Sequence, residues 1–177
     1  MDNRILGAIC IIGSALAVLG TLLLRARFDE PDSILVGIIW LAGALAGLLG
    51  LIQSNGVGRN PVLRAVAFLP ILSIVLVIAW GIADVTGLVP SDSMMGNIGY
   101  FGFLIGLVLV GIFTIAAKEW QGWRRFVPLF TLLMFIVGTG FPNVYVGQAL
   151  AVSSWALLGY VVTTADSGAT LAEGALT

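Results

Sequence analysis

Histidine is absent from the 177 residues, cysteine occurs once and lysine once. Without imidazole there is no His-ligated zinc or haem and no dyad that uses His as its base, and a single thiol cannot hold an iron–sulfur cluster. Charge is equally scarce, since eight Lys/Arg and nine Asp/Glu make up 10% of the chain, against about 25% in an ordinary soluble domain. So few charged groups cannot supply the polar surface that a water-soluble globule of this length needs. The net charge is −1, and no basic tract offers an electrostatic footprint for nucleic acid. No metal and no cofactor is expected.

Apolar residues fill the space that charge leaves: they form 59% of the chain, and mean hydropathy is +1.10. They fall into runs of about 20 residues, the length that matches a hydrocarbon core of about 30 Å. The expected spans are Ile5 to Leu24, Ile34 to Ile52, Ala65 to Ala83, Gly96 to Ala117, Phe126 to Phe141 and Val144 to Val162. The reading is an all-α fold, a polytopic membrane helical bundle with six transmembrane helices over residues 1–163 and a polar cytoplasmic tail over 164–177. The first run is too long for a signal-peptide core and lacks a small-residue cleavage site, so it is expected to stay in the mature protein. Cys10, inside it, reads as a small packing residue.

The fifth run is short. Beginning it at Trp123 restores a full span if Arg124 and Arg125 snorkel to the interface. Its link to the sixth, Gly138-Thr-Gly-Phe-Pro-Asn143, reads as a tight turn with Asn143 capping the last helix. The alternative is five spans plus a re-entrant segment, which needs more surrounding protein than a small chain provides.

Lys and Arg set the orientation. With the N-terminus inside, Arg4, Arg59, Arg64, Lys118, Arg124 and Arg125 lie on the inner side and only Arg25 and Arg27 outside. Both termini are then cytoplasmic, in the cell (inner) membrane. The outer loops collect Asp29, Glu30, Asp32, Asp84 and Asp92. Arg4, Arg64 and Arg125 begin three helical hairpins, and Leu63-Arg-Ala-Val-Ala-Phe-Leu-Pro70 faintly matches Arg125-Phe-Val-Pro-Leu-Phe130. Any three hairpins obeying the inside-positive bias would show as much.

Helix faces carry further information. Trp40, Gly43, Gly47 and Gly50 form one stripe, and Gly99, Gly102 and Gly106 another. The steps Gly43–Gly47 and Gly102–Gly106 let helix backbones approach closely in lipid, either within the bundle or between copies. Pro70 and Pro128 sit a few residues into helices, where each is expected to bend or interrupt the helix. In the last helix Tyr145, Gln148, Val152, Trp155 and Gly159 share an inward arc, while Ser153 and Ser154 can bond back to their own helix.

Every ionisable side chain falls in a loop or at a helix end, which argues against proton relays, ion coupling and voltage sensing. The acidic loop around Asp29, Glu30 and Asp32 reads as a hydrated turn rather than a catalytic pair. One constellation offers a ligand site. Trp80, Asp84, Asn97, Tyr100, Asn143, Tyr145 and Gln148 share the outer depth, with Trp155 on the same arc below them. Together they suggest an outward-facing pocket with apolar walls and a few polar anchors. The competing reading is an interfacial aromatic belt with helix caps. Trp120, Trp123, Arg124 and Arg125 read likewise as a cytoplasmic anchor or an anionic-lipid site.

The ending Gly147-Gln-Ala-Leu-Ala-Val-Ser-Ser-Trp-Ala-Leu-Leu-Gly-Tyr160, after the basic Trp123-Arg-Arg125 and the proline-containing turn, resembles the last hairpin of small six-helix bacterial membrane proteins with no assigned activity. The resemblance covers the final third of the chain and implies a six-span fold, with no functional residues to carry over. The expected function is non-enzymatic: an accessory or scaffold subunit packing on lipids, on a second copy or within a larger membrane complex. The alternative is a carrier or receptor for a small neutral or lipophilic molecule.

Overall fold

Each apolar run becomes helical, the third as two helices in succession, and the first continues through Arg25 and Arg27 to Phe28. The computed structural model describes residues 2–28, 34–89 and 94–165, with no strand among them. Asp29, Glu30, Asp32, Asp92 and residues 166–177 lie outside the described residues, as do the side chains of Arg25, Arg27 and Tyr145. The helices are α1 (Asn3–Phe28), α2 (Ile34–Gln53), α3 (Pro61–Val66), α4 (Leu69–Val85), α5 (Met94–Ala117), α6 (Val127–Thr139) and α7 (Val144–Ala165), with a 3-10 turn at Gly122–Phe126 before α6.

Four stretches are long and apolar enough to cross a membrane: Asn3–Leu23, Pro61–Asp84, Met94–Ala117 and Val146–Ala165. Gly37–Gln53 is apolar but shorter.

Proline accounts for the departures in the third and fifth runs. The third run was expected to begin at Ala65, but helix starts at Pro61, where the Asn60 side chain accepts from the Val62 N–H at 2.9 Å. It then breaks at Ala67 and Phe68. Pro70 has no N–H to give the Val66 carbonyl, and the chain tightens so that the Phe68 N–H reaches the Ala65 carbonyl at 3.1 Å. Pro128 likewise sits in the first turn of α6. The helix α6 is only 13 residues long, about 20 Å. The 3-10 turn extends it. Arg124 donates to the Thr164 carbonyl at 3.4 Å, and at the far end Gly138 meets Gly147. The turn and α6 therefore run antiparallel to α7 from Thr164 to Gly147, a rise of about 26 Å. Asn143 accepts from the Val146 N–H at 3.3 Å and caps α7 after the turn.

Five helices close a ring in which each touches the next: α2, α7, α6, α5, α4 and back to α2. Outside it, α1 lies against α7 and α2. Its inner face is a column of small residues, Gly7, Cys10, Ser14, Ala17 and Thr21, all buried. Its outer face is the exposed row Ile5, Ile9, Ile12, Leu16, Leu19 and Leu23.

Small residues set how closely these helices approach. A Cβ built on Gly13 would sit 2.9 Å from the Gly43 Cα, and one on Gly47 would sit 2.7 Å from the Cys10 Sγ. The α5 stripe faces α4. A Cβ on Gly102 would meet the Ser73 Oγ at 2.5 Å, and one on Gly106 would meet Pro70 at 2.6 Å. All four glycines singled out in the sequence, Gly43, Gly47, Gly102 and Gly106, thus pack against this chain's own helices.

Candidate functional site

Inside the ring, aromatic side chains from four helices meet. Trp40 of α2 stacks on Phe135 of α6, with centroids 5.8 Å apart. Phe103 of α5 meets Phe135 edge-on at 5.4 Å and stacks against Trp155 of α7 at 6.1 Å. Tyr100, one turn above Phe103, reaches Phe135 at 6.0 Å. Such pairs contribute about 0.5–1.5 kcal/mol each beyond the area they bury. Trp155 is fully buried, whereas Tyr100 is 38% exposed, so the layer opens toward the end of the ring where α5 and α7 begin.

The polar groups within this layer are the two indole N–H groups and the Tyr100 hydroxyl. The indole Nε1 atoms of Trp40 and Trp155 are buried without a partner. An unmet buried donor costs about 1–3 kcal/mol. An apolar molecule carrying a carbonyl or hydroxyl acceptor would satisfy one.

Of the residues expected to form an outer pocket, Tyr100 and Trp155 are joined through Phe103 and Phe135. Trp80 instead lies flat on the first turn of α5, where a Cβ on Gly96 would come within 3.0 Å of its ring. Asn97, beside Gly96, is exposed, and Asp84 is partly buried in the last turn of α4. Asn143 caps α7, Tyr145 is in its first turn, and Gln148 is partly buried one turn further. The seven residues above Trp155 therefore share one end of the bundle. Phe103 and Phe135 were not singled out from the sequence, and Trp40 was placed only on the glycine stripe of α2, not at a ligand site. Their aromatic character was visible, but periodicity does not say which faces of different helices meet.

Buried hydroxyls are occupied locally. Ser14 donates to the Cys10 carbonyl at 2.8 Å, Thr114 to Val110 at 2.8 Å, Thr131 to Val127 at 3.0 Å and Ser154 to Ala151 at 2.7 Å. Ser153 bonds back to Leu150 at 3.0 Å. The Cys10 thiol donates across the helix interface to the Trp155 carbonyl at 3.1 Å. Among the described residues, no group of Cys, Asp and Glu side chains is arranged to hold a metal ion.

The opposite end carries six of the eight cations. The loop after α2, the loop after α5, the 3-10 turn and the end of α7 converge there, bringing Arg59, Lys118, Arg124 and Arg125 to the same rim as Arg4 and Arg64. Arg59 pairs with Glu119 at 3.5 Å, an exposed contact worth less than about 1 kcal/mol. Trp120 is buried over Gly56, whereas Trp123 is 53% exposed. A shallow groove of about 570 Å³ lies on the outer face of α3 and α4, lined by Pro61, Val62, Ala65, Val66, Leu69 and Leu72.

Comparison with protein-family models, with curated proteins and with solved structures returns no match, so the functional reading rests on the chain's own residues.

Proposed function

We propose that the chain is a non-enzymatic integral membrane protein of six spans, an accessory or scaffold subunit that works by packing against lipids and partner helices. Its Arg-rich end and both termini face the cytoplasm, and it resides in the inner membrane. The observation that carries this reading is the division of faces. The glycines of the two stripes and the buried hydroxyls Ser14, Thr21, Ser73, Thr114, Thr131 and Ser154 are turned inward and satisfied within the chain, whereas the outer faces of α1, α4, α5 and α6 are rows of exposed Ile, Leu, Val and Phe. Because the glycine stripes are spent on internal contacts, partner helices meet these outer rows. The six-span form is supported by the 3-10 turn and α6, which keep pace with α7 over about 26 Å.

The test is purification in native lipid, with size and composition measured together. A complex larger than the single chain, containing a second copy or another membrane protein, is expected; a lone monomer with lipid only would sink the scaffold reading. Orientation is read separately with a C-terminal fluorescent-protein fusion, which should fluoresce in the cytoplasm.

A second reading, a carrier or receptor for a small lipophilic molecule, is favoured by the partnerless indoles of Trp40 and Trp155 in the aromatic layer. A co-purifying acceptor-bearing molecule lost in Phe135→Ala would support it. Purified protein with no such molecule, and no change in tryptophan emission on adding lipophilic carbonyl compounds, would end it.

A further inference from the structure

We propose that Arg124 and Arg125 bind the phosphate of an anionic phospholipid whose acyl chain lies along the outer face of α6. The inference rests on the membrane-spanning reading and adds to it a ligand class and a site. At the cationic rim the described residues include Arg4, Arg59, Arg64, Lys118, Arg124 and Arg125 against only Asp2 and Glu119, and Glu119 is engaged by Arg59. The arginine pair on the 3-10 turn thus has no carboxylate partner among the described residues, yet both side chains are held. Arg124 is tied to the Thr164 carbonyl at 3.4 Å. The Arg125 guanidinium lies 4.9 Å from the Phe126 ring centroid, and its Nε is buried without an acceptor. The Arg125 side chain as a whole is only partly buried. Neighbouring guanidiniums that keep N–H groups beyond these contacts match the non-bridging oxygens of a phosphodiester, which accept N–H bonds from arginine.

An apolar track begins at the same point. Phe126, Phe130, Leu133 and Val137 are each at least 40% exposed and follow one another down one side of the 3-10 turn and α6. From Phe126 to Val137 the rise is about 16 Å, close to one leaflet of a hydrocarbon core about 30 Å thick. Trp123, exposed beside the arginines, sits at the level of the glycerol esters, where indoles concentrate. Charge above, an aromatic at the interface and one leaflet of apolar surface below fit a phospholipid with a net negative headgroup.

The experiment reconstitutes the full chain into vesicles of equal phosphatidylcholine and phosphatidylglycerol, extracts it gently and quantifies the lipid retained. Wild type is expected to enrich phosphatidylglycerol about thirtyfold, from two arginines at about 1 kcal/mol each near an anionic surface. R124Q/R125Q should bring the ratio near one, whereas R59Q/R64Q, which removes equal charge from the same rim, should keep most of it. Enrichment that survives R124Q/R125Q, or that falls equally in R59Q/R64Q, overturns the site. If the double variant does not fold, R125Q alone leaves the Arg124–Thr164 bond intact and should retain less than half of the enrichment; an undiminished value overturns the proposal. An alkaline carbonate wash of the vesicles tests the membrane reading independently, because a chain that is not embedded is released whatever lipid it prefers.

Discussion

The two sides of the bundle use glycine differently. On the side formed by α1, α2, α6 and α7, the tightest helix crossings bring glycine against backbone, although Gly47 and Gly50 lie against the side chains of Cys10 and Val162. Gly7 faces the Gly159 carbonyl, Gly13 faces the Gly43 Cα, and Gly138 and Gly147 face each other's carbonyls. On the side formed by α4 and α5, glycines lie under side chains or a proline ring: Gly96 under Trp80, Gly99 under Val77, Gly102 under Ser73 and Gly106 under Pro70. Burial separates only the extremes, 50% for Val146–Ala165 against 22% for Pro61–Asp84, while Asn3–Leu23 and Met94–Ala117 are equal at 39%. A backbone carbonyl cannot move aside without moving its helix, whereas a side chain can change rotamer. Lipid supplies no hydrophobic force between helices, so close packing must. The first side is therefore expected to be rigid and intolerant, and the second adjustable.

Substitutions break this comparison in a definite order. Gly147→Leu should have the largest effect, because its new atoms would enter the Gly138 carbonyl from which no rotamer escapes; loss of more than about 4 kcal/mol is expected, enough to remove folded protein. Recovery of a monodisperse species in detergent would contradict the rigid-side account. Gly106→Leu comes next, since the Pro70 ring is stiff but α4 is exposed enough to shift; about 1–3 kcal/mol of overpacking should appear in SDS-titrated unfolding. Gly102→Ala should cost under about 1 kcal/mol, and Ser73→Ala in the same chain should restore most of it, a coupling that a double-mutant cycle measures directly. Gly37→Ala and Gly81→Ala, which would meet nothing within 4 Å, should be neutral or stabilise by up to about 1 kcal/mol through helix propensity. Any sizeable loss there would place an unseen neighbour on those faces.

Thiol chemistry sharpens the same contrast at smaller scale. Cys10 is fully buried between α1, Gly47 and Trp155. Labelling by a membrane-permeable maleimide should be slow in the folded protein and reach completion only in denaturant. Rapid labelling of the native state would show that this side opens.

Much of the fold was legible because charge sits at helix ends: Arg4, Arg64 and Asp84 bracket apolar runs long enough to cross lipid. The interruptions at Pro70 and Pro128 were also readable, since a missing N–H is a property of the residue itself. The 3-10 turn was harder. Trp123, Arg124 and Arg125 look like an interfacial loop, and only their contact with Thr164 carries them along α7. Packing partners were hidden for a similar reason. The stripes through Gly43 and Gly102 announced close approach without saying to what, while Gly138, Gly147, Gly7 and Gly159 lack the four-residue repeat that draws attention. The column Gly7, Cys10, Ser14, Ala17 and Thr21 was a signal in plain view, small residues at helical spacing opposite Ile and Leu. At the candidate site, the polar and aromatic residues at one depth could be grouped from topology alone. The link from Tyr100 to Trp155 could not, because it runs through two phenylalanines whose faces only the assembled ring defines.

The meeting of α1 with α7 bears on how the protein is made. Gly7 leaves the ribosome long before Gly159, so the first helix must wait in the bilayer for its chief neighbour while the intervening segments are synthesised. The bonds from Ser14 to Cys10 and from Thr21 to Ala17 make that wait tolerable, since α1 enters lipid with those hydroxyls already satisfied and needs no early companion to shelter them. Biogenesis is then insertion first and closure last, with the arrival of α7 joining the α1–α2 pair to the remaining helices.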